Sequence, residues 1–456
     1  MKTKKGFTLV LSSVMALTML AACGKSTTGG SGAASPSPSS SGSASPSASS
    51  SPSQAPEMTK DPITLTFMAP WDDGMVQRRI GSAVKEKWPN ITIKTIVAFV
   101  EADKIQETLA KKEVPDFLLA TDGFETLKEY DMMFPLDDLM KKYKFDESKL
   151  MKGTVDAIRA RDPEGKGRML GIPFEDTAFA LHYNKDIFDK FGVPYPKDGI
   201  TWEEALDLAK KVTGERDGVK YRGLATNGLW QALTELSPQG TDPKTGEPKF
   251  SKEPAFEKYL SFYKQVTEIP GNYAKDVTYD FKKGDVAMFI NNIANTIQYF
   301  EDPNLKLNYD VVGVPVWKDA PTKGPSNMAL TIAINKHSKY KEEAFQIMQF
   351  LMSEEQQMKL SRSHGVSSVL DNQAIHDAYA ADALKGKQKN IKSIYALKPA
   401  PPAPYSSFGP DMLSYGSNYV ATQAKPFVDS GDDVRTFLRK MDEDYAKLVK
   451  EKQMKK

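Results

Sequence analysis

The chain has 456 residues and a formal net charge of +2, and 40% of its residues are hydrophobic, 26% charged and 10% aromatic. These values are typical of a globular protein, and the small net charge excludes a global field that would favour nucleic acid. The length exceeds one ordinary core, so we expect two or more lobes. The single cysteine excludes an internal disulfide bond.

The first 22 residues have the pattern of a secretory signal. Three lysines stand within residues 2–5, and an apolar run covers residues 7–20. This run of about 14 residues is shorter than the roughly 20 that span a bilayer, so we expect it to be removed. The segment Leu20–Cys23 resembles a bacterial lipobox, in which the cysteine receives diacylglycerol. The alternative is an ordinary signal peptide followed by an incidental cysteine.

We therefore predict a signal peptide over residues 1–22 and lipidation at Cys23. The lipid would hold the chain at the extracytoplasmic face of the cell membrane, as on a Gram-positive cell surface. After Cys23, residues up to 57 are almost entirely Ser, Gly, Ala and Pro. Such a segment has nothing to bury, so residues 23–57 are predicted to be a disordered tether, or a glycosylated stalk with the same role.

The segment that follows alternates strand and helix patterns. Ile63, Leu65 and Phe67 alternate with threonines, which predicts a strand. Further apolar patterns predict a helix over 76–88, a strand over 91–96, a helix over 103–112 and a strand over 117–120. This alternation indicates an α/β lobe with a largely parallel sheet.

The middle and the end of the chain are richer in helices. Thr201–Glu204 has the pattern of a capping box, and Ser353 with Gln356 is expected to cap another helix. Apolar residues at helical spacing within 342–351 and 434–448 predict two more helices that face a core. Trp202 lies on the capped helix, and we expect it to pack inside the second lobe.

The motifs of common enzymes are missing. The sequence contains no Walker loop, no Rossmann glycine fingerprint and no Gly-x-Ser-x-Gly elbow, and its four histidines are never paired at the spacing of metal ligands. We therefore expect no catalytic group, no cofactor and no metal. Counting carboxylates does not exclude a two-carboxylate surface glycosidase, which stays an alternative.

Several stretches, in this order, carry a family resemblance. They are Gly171-Ile172-Pro173, Leu181–Phe188 with its Tyr-Asn-Lys-Asp turn, Phe191-Gly192-Val193-Pro194, Thr201–Glu204, Phe281–Met288, and Pro315 followed by Ile332–Leu351. Together they resemble the extracellular solute-binding proteins of ABC importers, in the large group that includes maltose-binding protein. The resemblance covers most of the chain after the tether.

The resemblance implies an α/β fold of two lobes that close like a clamp about hinge strands. The lobes would comprise residues 58–175 plus 326–370 and residues 176–325 plus 371–456, with crossings near 174–182 and 316–328. It further implies a monomeric, membrane-anchored receptor that captures a solute, expected to be a mono- or oligosaccharide, and delivers it to the transmembrane subunits of an ABC permease. Alternatives are a receptor for a polyamine or another cation, and a sensor partner without a transporter.

Candidate contacts follow from the rule that ligands bind outside the carboxyl ends of strands in open α/β sheets. Carboxylates and amides hydrogen-bond hydroxyl groups, and aromatic rings cover apolar sugar faces. The residues predicted in this way are Trp71, Asp72, Asp122, Glu175, Asp176, Trp230, Asn291, Asn292, Asn327 and Tyr405. Many sugar-binding relatives carry a tryptophan soon after the segment that ends here at Met288, whereas this chain has Asn292, Ile293 and Ala294. This departure argues against a long maltodextrin-like ligand.

Overall fold

A computed structural model describes residues 57–120, 124–151, 153–275, 279–294, 304–326, 329–384, 387, 389–401 and 419–454. All of them belong to one compact unit, Ala55–Lys456. The predicted signal peptide, Cys23 and almost all of the tether lie outside the described residues.

The strands are numbered in chain order. They are β1 Ile63–Ala69, β2 Ile91–Val97, β3 Phe117–Ala120, β4 Ile172–Asp176, β5 Phe179–Asn184, β6 Gly214–Arg216, β7 Val219–Leu224, β8 Val286–Asn292, β9 Tyr309–Gly313, β10 Lys323–Gly324, β11 Ala329–Ile334 and β12 Lys398–Pro399. They form two five-stranded sheets, with strand orders β2-β1-β3-β11-β4 and β6-β7-β8-β5-β9, and a small pair of β10 with β12.

The helices surround these sheets. The α-helices are Asp73–Val76, Ser82–Lys87, Ala102–Ala110, Glu125–Glu129, Asp137–Lys142, Thr154–Ala160, Lys185–Phe191, Trp202–Val212, Gln231–Thr234, Pro254–Thr267, Lys341–Leu351, Glu354–His364, Gln373–Asp377, Ala381–Leu384, Tyr419–Ser430 and Val434–Met454. A π-helical turn covers Gln77–Gly81, and 3₁₀ turns cover Glu147–Lys149, Phe281–Lys283 and Ile391–Ala396. Across the described ranges, none of these helices is both long and apolar enough to span a membrane.

The first sheet and its core form the first lobe. Strand β1 pairs in parallel with β2 and β3, and β11 is antiparallel to both β3 and β4. Strands β1 to β4 therefore run in one direction, which confirms the predicted largely parallel sheet. Its core draws buried apolar residues from two stretches of the chain, 63–174 and 329–375.

The second sheet forms the second lobe and is covered on both faces. Successive side chains of a strand point to opposite faces, and here Leu181 of β5 joins one core while Ala180 joins the other. The larger core includes buried residues of the helices Trp202–Val212 and Val434–Met454, and the smaller one includes Tyr379, Ala380, Leu384, Ile391 and Ile394.

Counted over the described residues, the chain passes three times between the first core and the cores of the second sheet. The passages lie between Phe174 and Ala180, between Trp317 and Ala329, and between Ile375 and Tyr379. We call these passages the first, second and third crossings. The exact lobe boundaries given above stay a prediction.

Local sequence signals account for several helix ends. The capping box is present: the Thr201 hydroxyl accepts from the Glu204 amide at 3.1 Å, and the Glu204 carboxylate accepts from the Thr201 amide at 2.9 Å. Ser353 caps the helix Glu354–His364 as expected. The predicted helix 76–88 differs in detail, because it begins at Asp73 and contains the π-helical turn. Leu448, predicted to face the core, is 44% exposed.

Candidate functional site

Each sheet presents one edge to the crossings. Because β1 to β4 are parallel to one another, the residues that follow them, including Trp71 and Asp176, lie at one edge of the first sheet. In the second sheet, β5 is antiparallel to β8 and β9, so its first residue, Phe179, lies beside the carboxyl ends of those strands. The first crossing joins these two edges in only two residues, 177 and 178.

Trp71 and Glu175 are brought together by an arginine. The Arg79 guanidinium binds the Glu175 carboxylate at 2.5 Å and lies 4.9 Å from the centre of the Trp71 ring. Trp71 also packs on Phe174, with ring centres 6.1 Å apart. Burial raises the pKa of Glu175, and the charge of Arg79 opposes that rise. The charge of the Glu175 carboxylate is thus balanced by the Arg79 guanidinium inside the first lobe.

Asp72 has a local structural contact. It is exposed, and its Oδ1 accepts a hydrogen bond at 2.8 Å from the Met75 amide, so it caps the helix Asp73–Val76. N-terminal caps of this kind commonly contribute about 1 kcal/mol to stability. A solute contact by Asp72 stays a prediction.

Asp176 lies next to Glu175 and points to the other face of β4. Its backbone amide donates to the Ser367 carbonyl oxygen at 2.9 Å, and the residue is 6% exposed. Burial, together with the charge of Glu175, raises the pKa of Asp176 to about 7, against a hydrogen bond from the Thr177 amide that lowers it. Asp176 is therefore only partly ionised near neutral pH.

The predicted residues of the second lobe surround Phe179. Its ring meets that of Trp230 edge to face, with centres 5.2 Å apart, and its backbone pairs with Asn292 of β8. Gly228 holds the loop before Trp230 close to β8, since a Cβ there would lie 2.2 Å from the Ile290 carbonyl oxygen. These contacts place the Trp230 ring at the first crossing.

Asn291 and Asn292 use their side-chain oxygens to shape the turn after β8. Asn291 accepts from the Asn292 amide at 2.9 Å, and Asn292 accepts from the Ala294 amide at 2.8 Å. Both residues are half-buried, and they pair in register with the first two residues of β5. They therefore stand at the same edge as Trp230.

A cavity of about 190 Å³ lies where the crossings meet. Its walls come from all three crossings and from the helix that begins at Gln231; they include Asp176, Phe179, Gln231, Ser326, His376 and Tyr395. We call it the crossing cavity. Pockets for drug-sized ligands measure about 300–1,000 Å³, so this space suits one small unit of a solute.

The third crossing contributes an aromatic stack to the wall. The rings of His376 and Tyr395 are parallel within 1°, with centres 4.7 Å apart, and the Tyr395 hydroxyl shares a hydrogen bond of 2.8 Å with Ser367. His376 is 7% exposed, and its Nε2 has no hydrogen-bond partner in the described part of the chain. Burial lowers the pKa of His376, so the imidazole is neutral at physiological pH.

The structure thus places the predicted residues in separate groups. Trp71 and Glu175 meet in the first lobe, Trp230, Asn291 and Asn292 lie around Phe179 in the second, and Asp176 lines the crossing cavity. Asp72 caps the helix Asp73–Val76, and three predicted contacts lie outside the described residues; they are Asp122, Asn327 and Tyr405.

Four residues of this region were missed by sequence reasoning. Phe99 follows β2 at the same edge as Trp71 and is 50% exposed, so the strand-end rule applied to β2 would have found it. Arg79, His376 and Tyr395 follow no strand of the two main sheets, and no local pattern marks them. Where the chain is described, no group of three or more His, Cys, Asp or Glu residues could hold a metal ion.

Comparison with known proteins identifies the family. Residues 81–444 match the family described as bacterial extracellular solute-binding protein. A binding protein of Brucella abortus is 30% identical over 269 residues, which cover 55% of this chain and 61% of that protein. The chain therefore matches less than two thirds of the length of this curated relative. The sn-glycerol-3-phosphate-binding periplasmic protein UgpB of the same species is 36% identical over 103 residues, 22% of each chain.

Solved structures share the fold at low sequence identity. An ABC substrate-binding protein of Listeria monocytogenes, in complex with cycloalternan, has a TM-score of 0.65 and 19% identity and covers 85% of this chain and 98% of its own. The likeness covers most of this chain, and it confirms the predicted two-lobe α/β clamp. With the family match over most of its length, the chain belongs to the bacterial extracellular solute-binding proteins.

Proposed function

We propose that this chain is the substrate-binding component of an ABC importer, and that it captures a carbohydrate or polyol and delivers it to the permease. The observation that carries the proposal is the crossing cavity, whose walls come from both lobes. A solute held there would touch both sheets at once. Its binding energy would therefore favour the closed arrangement of the lobes.

The chemistry of the surroundings supports a hydroxylated solute. The cavity wall contains the Asp176 carboxyl, the His376 imidazole and the Gln231 amide, all of which can hydrogen-bond hydroxyl groups. Trp230 packs on Phe179 of the cavity wall, and Trp71 packs on Phe174, two residues before Asp176. Aromatic rings with a polar neighbour suit the apolar faces of a sugar ring. The Listeria neighbour, with cycloalternan bound, supports the same class of solute.

The contacts and lobes predicted from the sequence belong to this proposed function. Trp71, Asp176 and Trp230 are the described residues that we place nearest the solute, with Glu175 acting through Arg79. The lobes comprise 58–175 plus 326–370 and 176–325 plus 371–456. Neither the cavity nor its surroundings suggests cleavage of a glycosidic bond, so we propose a receptor and not a glycosidase. An oligosaccharide bound by the chain should therefore be recovered intact after long incubation.

The proposal places the receptor at the outer face of the cell membrane through a lipid on Cys23. The support is the apolar run followed by Leu20–Cys23. Replacing Cys23 by Ser should release the chain into the medium without changing its affinity for a solute. Continued membrane association of that variant would contradict lipid anchoring.

A thermal-shift panel tests the function. Neutral probes such as D-mannitol, D-mannose, mannobiose and cycloalternan should include at least one that stabilises the purified chain, because a ligand at about 100 times its Kd adds roughly 2.7 kcal/mol. A lack of stabilisation by every sugar and polyol, at concentrations up to about 10 mM, would contradict the proposed carbohydrate class.

A further inference from the structure

We infer that the crossing cavity selects a neutral, hydroxyl-bearing part of the solute and discriminates against a phosphate group. The inference rests on the proposed function, because it concerns the solute of the same site. It separates this chain from its UgpB relatives, whose name states that they bind sn-glycerol 3-phosphate.

The first support is the charge of the wall. Two carboxyl groups, those of Asp176 and Asp371, line the cavity, and no lysine or arginine is among the described residues that do so. A phosphate ester carries a charge of about −1.5 to −2 near pH 7 and seeks arginine, lysine or a helix N-terminus. The wall offers it repulsion from the exposed Asp371 carboxylate and from the ionised fraction of the buried Asp176.

Arg79, which binds the neighbour of Asp176 in β4, is already engaged. Arg79 is held by the buried Glu175 carboxylate at 2.5 Å and by the face of Trp71, and its side chain is 12% exposed. Drawing it toward a phosphate would leave the buried Glu175 charge without a partner, which costs several kcal/mol in general. Arg79 is therefore a poor anchor for an anionic solute.

His376 does not supply the missing positive charge. It is buried, it stacks on Tyr395, and burial lowers its pKa, so the ring is neutral. A neutral imidazole has one donor and one acceptor nitrogen, and its Nε2 is unpartnered in the described part of the chain. A hydroxyl group, which both donates and accepts, complements either nitrogen, whereas a phosphate dianion can only accept.

Asp176 can bind a hydroxyl group in either of its protonation states. The groups that influence its pKa, or whose pKa it influences, are Glu175 on the same strand, the Thr177 amide, and Tyr395 of the turn Ile391–Ala396, and none of them is positively charged. Its pKa of about 7 keeps part of the population protonated near neutral pH. A carboxyl in exchange between the two forms can accept a hydrogen bond from a hydroxyl group or donate one to it.

Isothermal titration of the purified chain at pH 7 tests the inference with matched pairs of probes. The pairs are glycerol with sn-glycerol 3-phosphate, D-mannitol with D-mannitol 1-phosphate, and D-mannose with D-mannose 6-phosphate, and putrescine is the cationic probe. We expect the neutral member of a pair to bind at least tenfold more tightly than its phosphate ester. We also expect it to bind more tightly than putrescine.

Substitutions test which residues cause the discrimination against the phosphate ester. The quantity compared is the Kd of the phosphate ester divided by the Kd of its neutral parent. Asp176→Asn should reduce this ratio at least threefold, and Asp371→Asn should reduce it less. Asp207→Asn is the matched control: Asp207 is exposed on the helix Trp202–Val212 and pairs with Lys210, so the ratio should not change. If Asp176→Asn fails to fold, Asp371→Asn alone decides, and an unchanged ratio in that variant overturns the assignment to this cavity.

The outcomes separate the inference from the function on which it rests. Equal or tighter binding of a phosphate ester would overturn the inference and leave a solute-binding receptor. Preferential binding of putrescine would overturn the choice of a neutral solute in favour of a cation. Binding of none of the probes would overturn the proposed carbohydrate class, and the inference would fall with it.

Discussion

Two buried carboxyl groups of this chain have similar pKa values and very different surroundings. Burial raises the pKa of both Asp176, at the first crossing, and Glu235, in the core of the second lobe, to about 7. Glu235 uses both oxygens inside the protein: one accepts from the Trp202 indole at 3.0 Å and the other from the Trp317 amide at 2.8 Å. Asp176 instead lines a cavity.

This difference separates a structural acid from a binding acid. A buried polar group costs stability unless its hydrogen bonds are made, and Glu235 makes them with the core of its own lobe. Asp176 accepts from the neighbouring Thr177 amide and otherwise faces the space where the lobes meet. A perturbed pKa alone would mark both residues as functional candidates, so the partners decide between the two roles.

The largest expected effect is on stability and concerns Trp202, a hydrogen-bond partner of Glu235. Trp202 is 0% exposed, packs on Phe262 and donates to Glu235. Trp202→Ala should lower the free energy of unfolding by about 3–5 kcal/mol, measured by urea denaturation, because it leaves a large cavity and removes one of the two hydrogen bonds to Glu235. The Kd for a neutral probe should stay within about threefold. A loss of binding without a loss of stability would show that the cleft has been placed wrongly.

The next effect concerns Asp176 and depends on pH. The folded-state pKa of about 7 lies above the ordinary aspartate value of 3.8, so the carboxyl costs no stability below pH 4 and its cost grows as pH rises to 7. Asp176→Asn should therefore raise the free energy of unfolding by about 2–4 kcal/mol at pH 8 and have little effect at pH 4. Urea denaturation at both pH values measures this difference.

Glu235→Gln provides the contrast to Asp176→Asn. Its amide nitrogen cannot accept, so one of the two hydrogen bonds from Trp202 and Trp317 is lost, and the variant should gain less at pH 8 than Asp176→Asn does. If Asp176→Asn were instead the less stable of the two at pH 8, Asp176 would be a structural acid like Glu235.

A smaller effect is expected at the rim of the crossing cavity. Trp230→Ala removes the ring that meets Phe179, and it should weaken binding of a neutral probe by about 1–3 kcal/mol while the fold survives. Trp88→Ala is the matched control, since Trp88 packs on Phe350 in the first lobe and should not alter affinity. Titration with fluorescence detection measures both variants; equal affinities would remove Trp230 from the site.

Local patterns predicted much of this architecture. Short-range geometry is displayed directly by the sequence. It gave the strand alternation at Ile63, Leu65 and Phe67 and the capping box at Thr201, and it is the basis of the strand-end rule applied to Trp71 and Trp230. The lipidation at Cys23 and the solute contacts stay predictions.

The remaining features depend on contacts between distant parts of the chain. Arg79 meets a partner 96 residues away, and the stack of His376 on Tyr395 belongs to a crossing with no motif of its own. The side chains of Glu175 and Asp176 point to opposite faces of β4, so one is neutralised by Arg79 and the other reaches the cavity. Neither the pairing nor the cavity is encoded in a local pattern, although both carboxylates were predicted as contacts.

The most direct test of the account is a crystal structure with the tightest-binding neutral probe. We predict that the solute lies between the lobes at the crossings. One of its hydroxyl groups should lie about 2.7 Å from a carboxylate oxygen of Asp176, and a second hydroxyl group should lie near His376. A solute bound elsewhere, with the Asp176 carboxyl left to protein partners as in Glu235, would contradict it.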